Sequence, residues 1–132
     1  MARHINPFAA LLASSLLLAA GPVSAQTKNG PGVSDTEILI GQTNPYSGPL
    51  SAYGTQGRAE SAYYNMINEE GGVNGRKIRL LSLDDGYSPP KTVEQHRRMV
   101  EGDEVLGVVG TMGTPTNSAI VKYMNKIGRA HV

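Results

Sequence analysis

Apolar residues follow two different spacings along the chain, and the two spacings alternate. Nearly continuous apolar runs predict strands at 37–43, 77–83 and 105–109. Each run is followed by a stretch in which apolar residues recur every three or four positions, which predicts a helix. This order of elements predicts an α/β fold with a three-stranded parallel sheet, flanking helices and right-handed crossovers.

The first predicted helix carries an apolar stripe at helical spacing, made of Ala59, Ala62, Tyr63, Met66 and Ile67. We expect this stripe to pack on the sheet, because a helix buries its apolar face. Glycines at 71–72 end the helix, and Asn74-Gly75 predicts a tight turn before the second strand.

Hydroxyl residues followed by proline predict where the next two helices begin. Ser88 and Thr114 are the predicted N-caps of the second and third helices. The second helix is predicted to continue to about residue 101. Its predicted core contacts are Val93, Val100 and the stem of Arg97.

The first 25 residues have the three parts of a secretory signal peptide. A basic start precedes an apolar run at 8–20, and Val23-Ser24-Ala25 forms a small-x-small cleavage site. The run of 13 residues is shorter than the roughly 20 that a membrane-spanning helix needs. We therefore expect residues 1–25 to be removed on export, leaving a flexible arm at 26–36.

Composition excludes several kinds of chemistry and partner. The sequence has no cysteine, which excludes disulfides, thiolate catalysis, thiolate metal sites and a lipid anchor on a lipobox cysteine. Its 12 Lys and Arg residues nearly balance 11 Asp and Glu residues, so no strong field favours nucleic acid or an anionic membrane. The sequence has neither a Gly-x-Ser-x-Gly elbow nor a Walker lysine.

The remaining titratable candidates are a histidine and an aspartate pair. We interpret His96, within the second helix, as a structural or surface residue. Asp84 and Asp85 either hold a divalent cation, accept a phosphoryl group or fix their loop through backbone N–H groups. We favour the last role, because a metal site would need more oxygen ligands. The sequence therefore predicts no catalytic residue, no metal and no cofactor.

The loops that follow the three strands, at 41–54, 84–90 and 110–117, are rich in small polar residues. We expect them to meet at the carboxyl edge of the sheet, where open α/β folds bind ligands.

Two features of these loops suit an organic carboxylate. The Thr114 hydroxyl and the free N–H groups of the first helical turn, near Thr116 and Asn117, are suited to hold an anion. Tyr46 and Tyr53 either offer aromatic surface to a ligand or pack within the protein.

Together these motifs resemble the amino-terminal part of type I periplasmic binding proteins, in the leucine and branched-chain amino-acid group that serves ABC importers. The matching segments are 38–43, 46–54, 68–75, 84–93 and 110–117. The resemblance implies two α/β lobes that close on a ligand and deliver it to a permease in the inner membrane.

The resemblance also implies site residues by motif position. Tyr53 resembles the aromatic residue that covers the ligand, and Gly113 with Thr114 resembles the loop that binds its carboxylate. Ser47 and Tyr87 match the family less closely. With Thr116 from the start of the helix, the predicted ligand-binding residues are Ser47, Tyr53, Tyr87, Gly113, Thr114 and Thr116.

The chain departs from this family in length and in loop sequence. Family members are longer, and their second lobe has no counterpart in the sequence, so 37–126 is expected to form an incomplete amino-terminal lobe that binds poorly and is marginally stable alone. The second and third loops differ from those of the amino-acid binders. Another small carboxylate, aromatic ones included, is therefore as good a candidate ligand as leucine.

The last six residues, 127–132, are interpreted as a non-native tail. They resemble one reading frame of a short-read sequencing adapter, and the preceding helix-forming residues stop without a cap. The alternative is a natural glycine C-cap at Gly128 followed by a frayed end.

The sequence therefore predicts a soluble periplasmic receptor that binds a small carboxylate, delivers it to an ABC permease, has no nucleic-acid partner and performs no catalysis. Two alternatives remain open. The lobe belongs to a sensory receptor, or the protein is an exported α/β hydrolase, against which the scarcity of histidine counts.

The cleavage site gives a direct prediction. In a bacterial host that exports the chain, amino-terminal sequencing of the mature protein is expected to begin at Gln26, because signal peptidase cuts after the small residue Ala25. A mature protein that retains Met1, or that begins within 8–20, would contradict it.

Overall fold

The computed structural model describes residues 29–128 and 130–131, which form an α/β fold with a four-stranded parallel sheet. The strands are β1 (Glu37–Asn44), β2 (Lys77–Asp84), β3 (Gly107–Val108) and β4 (Ala130–His131), in the order β2-β1-β3-β4. The helices are α1 (Thr55–Glu69), α2 (Pro89–Arg97) and α3 (Thr114–Ile127). The predicted fold class and order of elements are confirmed.

The sheet has one more strand than predicted. β4 pairs with β3 and lies in the segment that we interpreted as a non-native tail. β3 has two residues rather than the predicted five at 105–109. Nevertheless, Leu106 N donates to Leu39 O at 2.8 Å and Val109 N donates to Gly41 O at 2.9 Å, so the chain follows β1 beyond β3 itself.

The register of β1 and β2 brings their carboxyl ends together. The two strands pair from Glu37 beside Lys77 to Asn44 beside Asp84. Successive residues of each strand point to opposite faces of the sheet, and residues that pair across the two strands point to the same face. The first and second loops therefore leave the sheet side by side.

The main core lies between the sheet and the layer that α2 and α3 form. Its buried apolar side chains are Leu39, Met99, Val100, Val105, Val108, Ile120 and Met124. Met99 and Val100 come from a π-helical turn, Arg98–Gly102, that follows α2. This turn therefore adds two core residues beyond the end of the helix.

α2 begins at Pro89 after the predicted N-cap Ser88 and ends at Arg97, and the π-helical turn that follows continues the helical backbone to Gly102, close to the predicted end near residue 101. Arg97 does not enter the core. Its side chain is exposed, and its guanidinium carbon lies 5.5 Å from the centroid of the Tyr123 ring.

The rotation of α1 differs from the prediction. Tyr63 is 55% exposed and Met66 is 45% exposed. Ala59 and Ala62 are exposed as well, and Ile67 is half-buried. The predicted sheet-facing stripe therefore lies mainly on the solvent side of α1.

Two contacts set this rotation. Gly57 is buried, and the Tyr46 hydroxyl lies so close to it that a Cβ at this position would overlap the oxygen. On the next turns of the helix, Asn68 Nδ2 donates to Ile78 O and Asn68 Oδ1 accepts from Ile78 N, both at 2.7 Å. The amide thus pairs both backbone groups of a residue on the edge strand, which decides which face of α1 meets β2.

α3 begins with Gly113 as its N-cap, so the predicted Thr114 cap is wrong and Thr114 is the first helical residue. Gly113 has a φ of 99°, which residues with a Cβ rarely adopt. At the other end, Gly128 has the left-handed φ of 65°. This matches the natural C-cap alternative, and the non-native origin of 127–132 stays a prediction.

The described part of the predicted arm, 29–36, contacts the start of β1. Leu39 N donates to Gly32 O at 2.6 Å, and Glu37 N donates to Ser34 Oγ at 2.9 Å. The flexibility of the arm stays a prediction, and the predicted signal peptide lies outside the described residues. None of the helices within the described ranges has the length and apolar character to cross a membrane.

The uneven burial of two methionines gives a stability prediction. Met99 has no exposed surface, so Met99→Ala is expected to lower the free energy of unfolding by about 2–5 kcal/mol through lost burial and a cavity. Met66 is 45% exposed, so the matched control Met66→Ala is expected to stay within about 0.5 kcal/mol of the parent. Urea unfolding measures both, and equal losses would contradict the observed rotation of α1.

Candidate functional site

Asp84, the last residue of β2, ties the first loop to the second. Its Oδ1 accepts from the backbone N–H groups of Tyr46 at 2.8 Å, Ser47 at 3.1 Å and Gly86 at 3.0 Å. Its Oδ2 accepts from the Ser47 hydroxyl at 2.6 Å and from Lys91 Nζ at 3.0 Å. Asp84 therefore has the predicted structural role of fixing the loop.

These contacts change the pKa of the Asp84 carboxyl. Burial raises that pKa, but hydrogen bonds from the Ser47 hydroxyl, the Lys91 ammonium and the backbone N–H groups of Gly86 and Tyr46 together outweigh it. The resulting pKa lies well below the usual value of an aspartate, because the donors stabilise the charged form. Asp84 is therefore ionised at neutral pH.

Asp85 points away from the first loop and ties the second loop to α2. Its Oδ1 accepts from Tyr87 N at 2.9 Å, and its Oδ2 accepts from the Thr92 hydroxyl at 2.9 Å. The residue has no exposed surface. Within 29–128 and 130–131, no group of three or more acidic or histidine side chains is arranged to hold a metal ion.

The second and third loops touch through Tyr87 and Gly113. Tyr87 has a φ of 61°, which is uncommon for a residue with a side chain. A Cβ at Gly113 would overlap the Tyr87 ring, so the ring lies directly against the N-cap of α3. The structure therefore brings together Tyr87, Gly113 and Thr114, three of the residues that the sequence analysis predicts to bind the ligand.

The third loop is also held by β1 and α1. Met112 N donates to Thr43 O at 3.3 Å, and Asn44 Nδ2 donates to Gly110 O at 3.3 Å. The Glu60 carboxylate lies against Gly110 and accepts from the buried Gln42 amide. Sequence reasoning missed these polar contacts. The available signal was the run of polar residues, 42–44, that ends an otherwise apolar strand.

The start of α3 differs in detail from the predicted anion site. The Thr116 side chain is buried, and its hydroxyl donates to the backbone oxygens of Met112 and Gly113. Asn117 N donates to Gly113 O at 3.0 Å. The Thr116 hydroxyl and the Asn117 N–H are therefore used within the protein. The backbone N–H groups of Thr114 and Thr116 precede this first intrahelical bond, and the Thr114 side chain is exposed.

The two tyrosines of the first loop have different surroundings. Tyr46 is half-buried and its hydroxyl bonds to Ser82, which assigns it to packing. Tyr53 lies in a 3₁₀ turn, Ser51–Gly54, and is 53% exposed. Of the two, Tyr53 is the one that presents its ring at the surface.

Polar groups thus line the carboxyl edge of the sheet, and the carboxylates of Glu60, Asp84 and Asp85 there are all hydrogen-bonded within the protein. The Asp84 carboxylate is compensated by Lys91, and the loops present hydroxyls, backbone N–H groups and aromatic rings. His96 lies beneath the loops with no exposed surface, which agrees with the structural alternative of its predicted role and not with the surface one. Such an edge has the chemistry of a binding lobe for a small molecule.

Comparisons with known proteins agree with this class. The sequence model of the periplasmic binding protein family matches residues 37–132. A Leu/Ile/Val-binding protein homolog 7 of Brucella suis biovar 1 is 31% identical over 106 residues, which cover 80% of this chain and 24% of that protein.

Solved structures give the same result. The isoleucine complex of a branched-chain amino acid transporter substrate binding protein from Streptococcus pneumoniae is similar, with a TM-score of 0.69, 27% identity, and coverage of 73% of this chain and 28% of that one. A fatty acid ABC transporter substrate-binding protein from Thermomonospora curvata has a TM-score of 0.67 and 30% identity, with 77% and 26% covered.

The chain belongs to the periplasmic binding protein family, and it has the type I fold of the branched-chain amino-acid group. It spans about a quarter of the length of these relatives.

The lowered pKa of Asp84 gives a pH prediction. Because the folded-state pKa lies below the unfolded value, the contribution of Asp84 to stability is fully present above about pH 4 and is lost as the pH falls toward the folded-state pKa. We expect Asp84→Asn to lower the free energy of unfolding at neutral pH, and the difference from the parent to shrink below about pH 4.

Urea unfolding of both proteins across this pH range measures the effect. Glu94→Gln, at an exposed position of α2, is the matched control. A difference between Asp84→Asn and the parent that stays constant with pH would contradict the prediction.

Proposed function

We propose that the chain is one wall of the ligand cleft in an extracytoplasmic solute-binding protein that serves an ABC importer. The ligand is a branched-chain amino acid or another small organic carboxylate. The observation that carries this proposal is the contact of the Tyr87 ring with Gly113, directly before the N–H groups of Thr114 and Thr116.

The start of α3 supplies the carboxylate site. Two backbone N–H groups and the positive end of the helix dipole favour an anion there without a charged side chain. The adjacent Thr114 hydroxyl donates a further hydrogen bond. Thr116 contributes its backbone N–H only, since its hydroxyl already donates within the loop.

The first loop supplies the rest of the wall. Tyr53, which is exposed, covers the aliphatic or aromatic part of the ligand. Ser47 donates its hydroxyl proton to Asp84, so its oxygen is left to accept from a ligand donor such as an ammonium group.

The ligand class follows from what the relatives share. The Streptococcus pneumoniae structure contains isoleucine, and the Thermomonospora curvata protein is named for fatty acids. Both kinds of molecule have a carboxylate joined to an apolar chain. A cleft wall of helix N–H groups beside an exposed aromatic ring suits that shared chemistry.

The family supports a proposal for the partner and the location. We place the protein in the periplasm, with an ABC permease in the inner membrane as its partner. A sensory receptor or a hydrolase is not favoured, since the named relatives are binding proteins. The opposing lobe is expected to come from the rest of a longer protein, so the present chain alone binds weakly.

The test uses the protein encoded by the complete reading frame that contains this chain. Calorimetry with L-isoleucine is expected to show micromolar or tighter binding, and L-isoleucinol, which lacks the carboxylate, is expected to bind at least about tenfold more weakly. Octanoate and L-phenylalanine are the alternative carboxylates. Absence of binding by all three carboxylates would contradict the proposed ligand class.

Two equally exposed tyrosines provide matched variants. Tyr53→Ala is expected to weaken binding about tenfold or more, because it removes the covering ring. Tyr63→Ala, on the exposed side of α1, is expected to leave the affinity unchanged. Equal effects of the two substitutions would contradict the assigned role of Tyr53.

A further inference from the structure

A set of largely buried hydrogen bonds, joined through Thr92, links the second loop to the third beneath the candidate site. It starts at Asp85, whose Oδ2 accepts from the Thr92 hydroxyl at 2.9 Å. Thr92 O lies 2.8 Å from His96 Nδ1, and His96 Nε2 lies 3.3 Å from the Thr111 hydroxyl. Asp85, Thr92 and His96 have no exposed surface. These hydrogen bonds therefore connect the two loops through the interior of the protein.

The contacts decide which ring nitrogen carries the hydrogen when His96 is neutral. A backbone oxygen only accepts, so Nδ1 must carry the proton that it donates to Thr92 O. Nε2 is then the acceptor, and the Thr111 hydroxyl is its donor. The imidazole thus bridges the backbone of α2 and the first residues of the third loop in one tautomer.

Asp85 reaches the third loop by a second route. Its Oδ1 accepts from Tyr87 N, the residue with the positive φ of 61°. The Tyr87 ring lies against Gly113, two residues after Thr111. The Asp85 carboxylate is therefore linked to both ends of the segment 111–113 that leads into α3, through Tyr87 at one end and through Thr92 and His96 at the other.

We propose that Asp85 and His96 are positioning residues that set the spacing between the Tyr87 ring and the first turn of α3. Neither residue touches the ligand. They act through Tyr87 and Thr111, which define the sides of the carboxylate site. The role in binding rests on the proposed function, whereas the control of the loop does not.

The polarity of these hydrogen-bonded residues supports a role in positioning the third loop rather than in simply filling space. Burying polar groups costs free energy unless they are hydrogen-bonded, and apolar residues of similar volume would fill the same space without that cost. Directional bonds, by contrast, allow one orientation of the loop. A histidine with both ring nitrogens engaged is well suited to that purpose.

The test separates the two ends of the imidazole. His96→Asn places an amide where Nδ1 lies and loses the reach to Thr111, whereas His96→Gln places an amide where Nε2 lies and keeps that reach. Thr111→Val removes the same bond from the other side with little change of shape. Glu94→Ala, at an exposed position of α2, is the control.

The measurement is amide hydrogen exchange by NMR on the complete polypeptide at Met112 and Asn117, whose N–H groups donate to Thr43 O and Gly113 O, with urea unfolding of every variant. His96→Asn and Thr111→Val are expected to speed exchange at these amides about tenfold, the size of one lost hydrogen bond. His96→Gln is expected to restore exchange to within about threefold of the parent. Amides of β2 are expected to keep their rates.

Two outcomes would overturn the proposal. One is unchanged exchange in the third loop of both His96→Asn and Thr111→Val. The other is an equal rise of the exchange rates in β1, β2 and the third loop, of the size expected from the loss of unfolding free energy. That result would show that His96 only stabilises the core.

A second arm tests the consequence for binding, with L-isoleucine as the probe and the protein from the complete reading frame. His96→Asn is expected to weaken binding about tenfold and His96→Gln to restore it. If the parent does not bind L-isoleucine, isoleucine is not its ligand, and the exchange measurement still decides the positioning role. If the parent binds and all variants bind equally, the positioning role is wrong.

Discussion

Two adjacent carboxylates at the end of β2 hold the carboxyl edge of the sheet together. Successive residues there point in opposite directions, so Asp84 faces the first loop while Asp85 faces α2. A carboxylate that loses water needs hydrogen-bond donors. The backbone N–H groups of Tyr46, Gly86 and Tyr87 supply them, and in doing so they give the loops their conformation.

The same arrangement uses the carboxylates of the site for hydrogen bonds within the protein. The charge of Asp84 is used within the loops and is opposed by Lys91. What the edge then offers to a ligand is a helix N-terminus, hydroxyl groups and aromatic rings. A binding protein must also release its ligand, and neutral donors grip an anion less tightly than a buried cation would.

The two faces of the sheet are covered in different ways. On one face, α2, α3 and the π-helical turn enclose an apolar core around Met99 and Ile120. On the other, α1 is anchored by Asn68 and by close approach at Gly57. Hydrogen bonding and close contact, rather than apolar area, thus decide the orientation of α1. This is why Met66 and its apolar neighbours face solvent.

The sequence by itself determined the order of elements, the parallel sheet and the three polar loops, because apolar periodicity and turn residues are local signals. The family followed from the resemblance of the loop motifs to those of known proteins. Tertiary structure alone decided the rotation of α1, the N-cap at Gly113, the internal use of the Thr116 hydroxyl and the bridge from His96 to Thr111. Each of these depends on groups that other elements bring into contact, or on a backbone conformation that such contacts stabilise. A periodic pattern records which residues are apolar, and it does not record which distant donor will meet which acceptor.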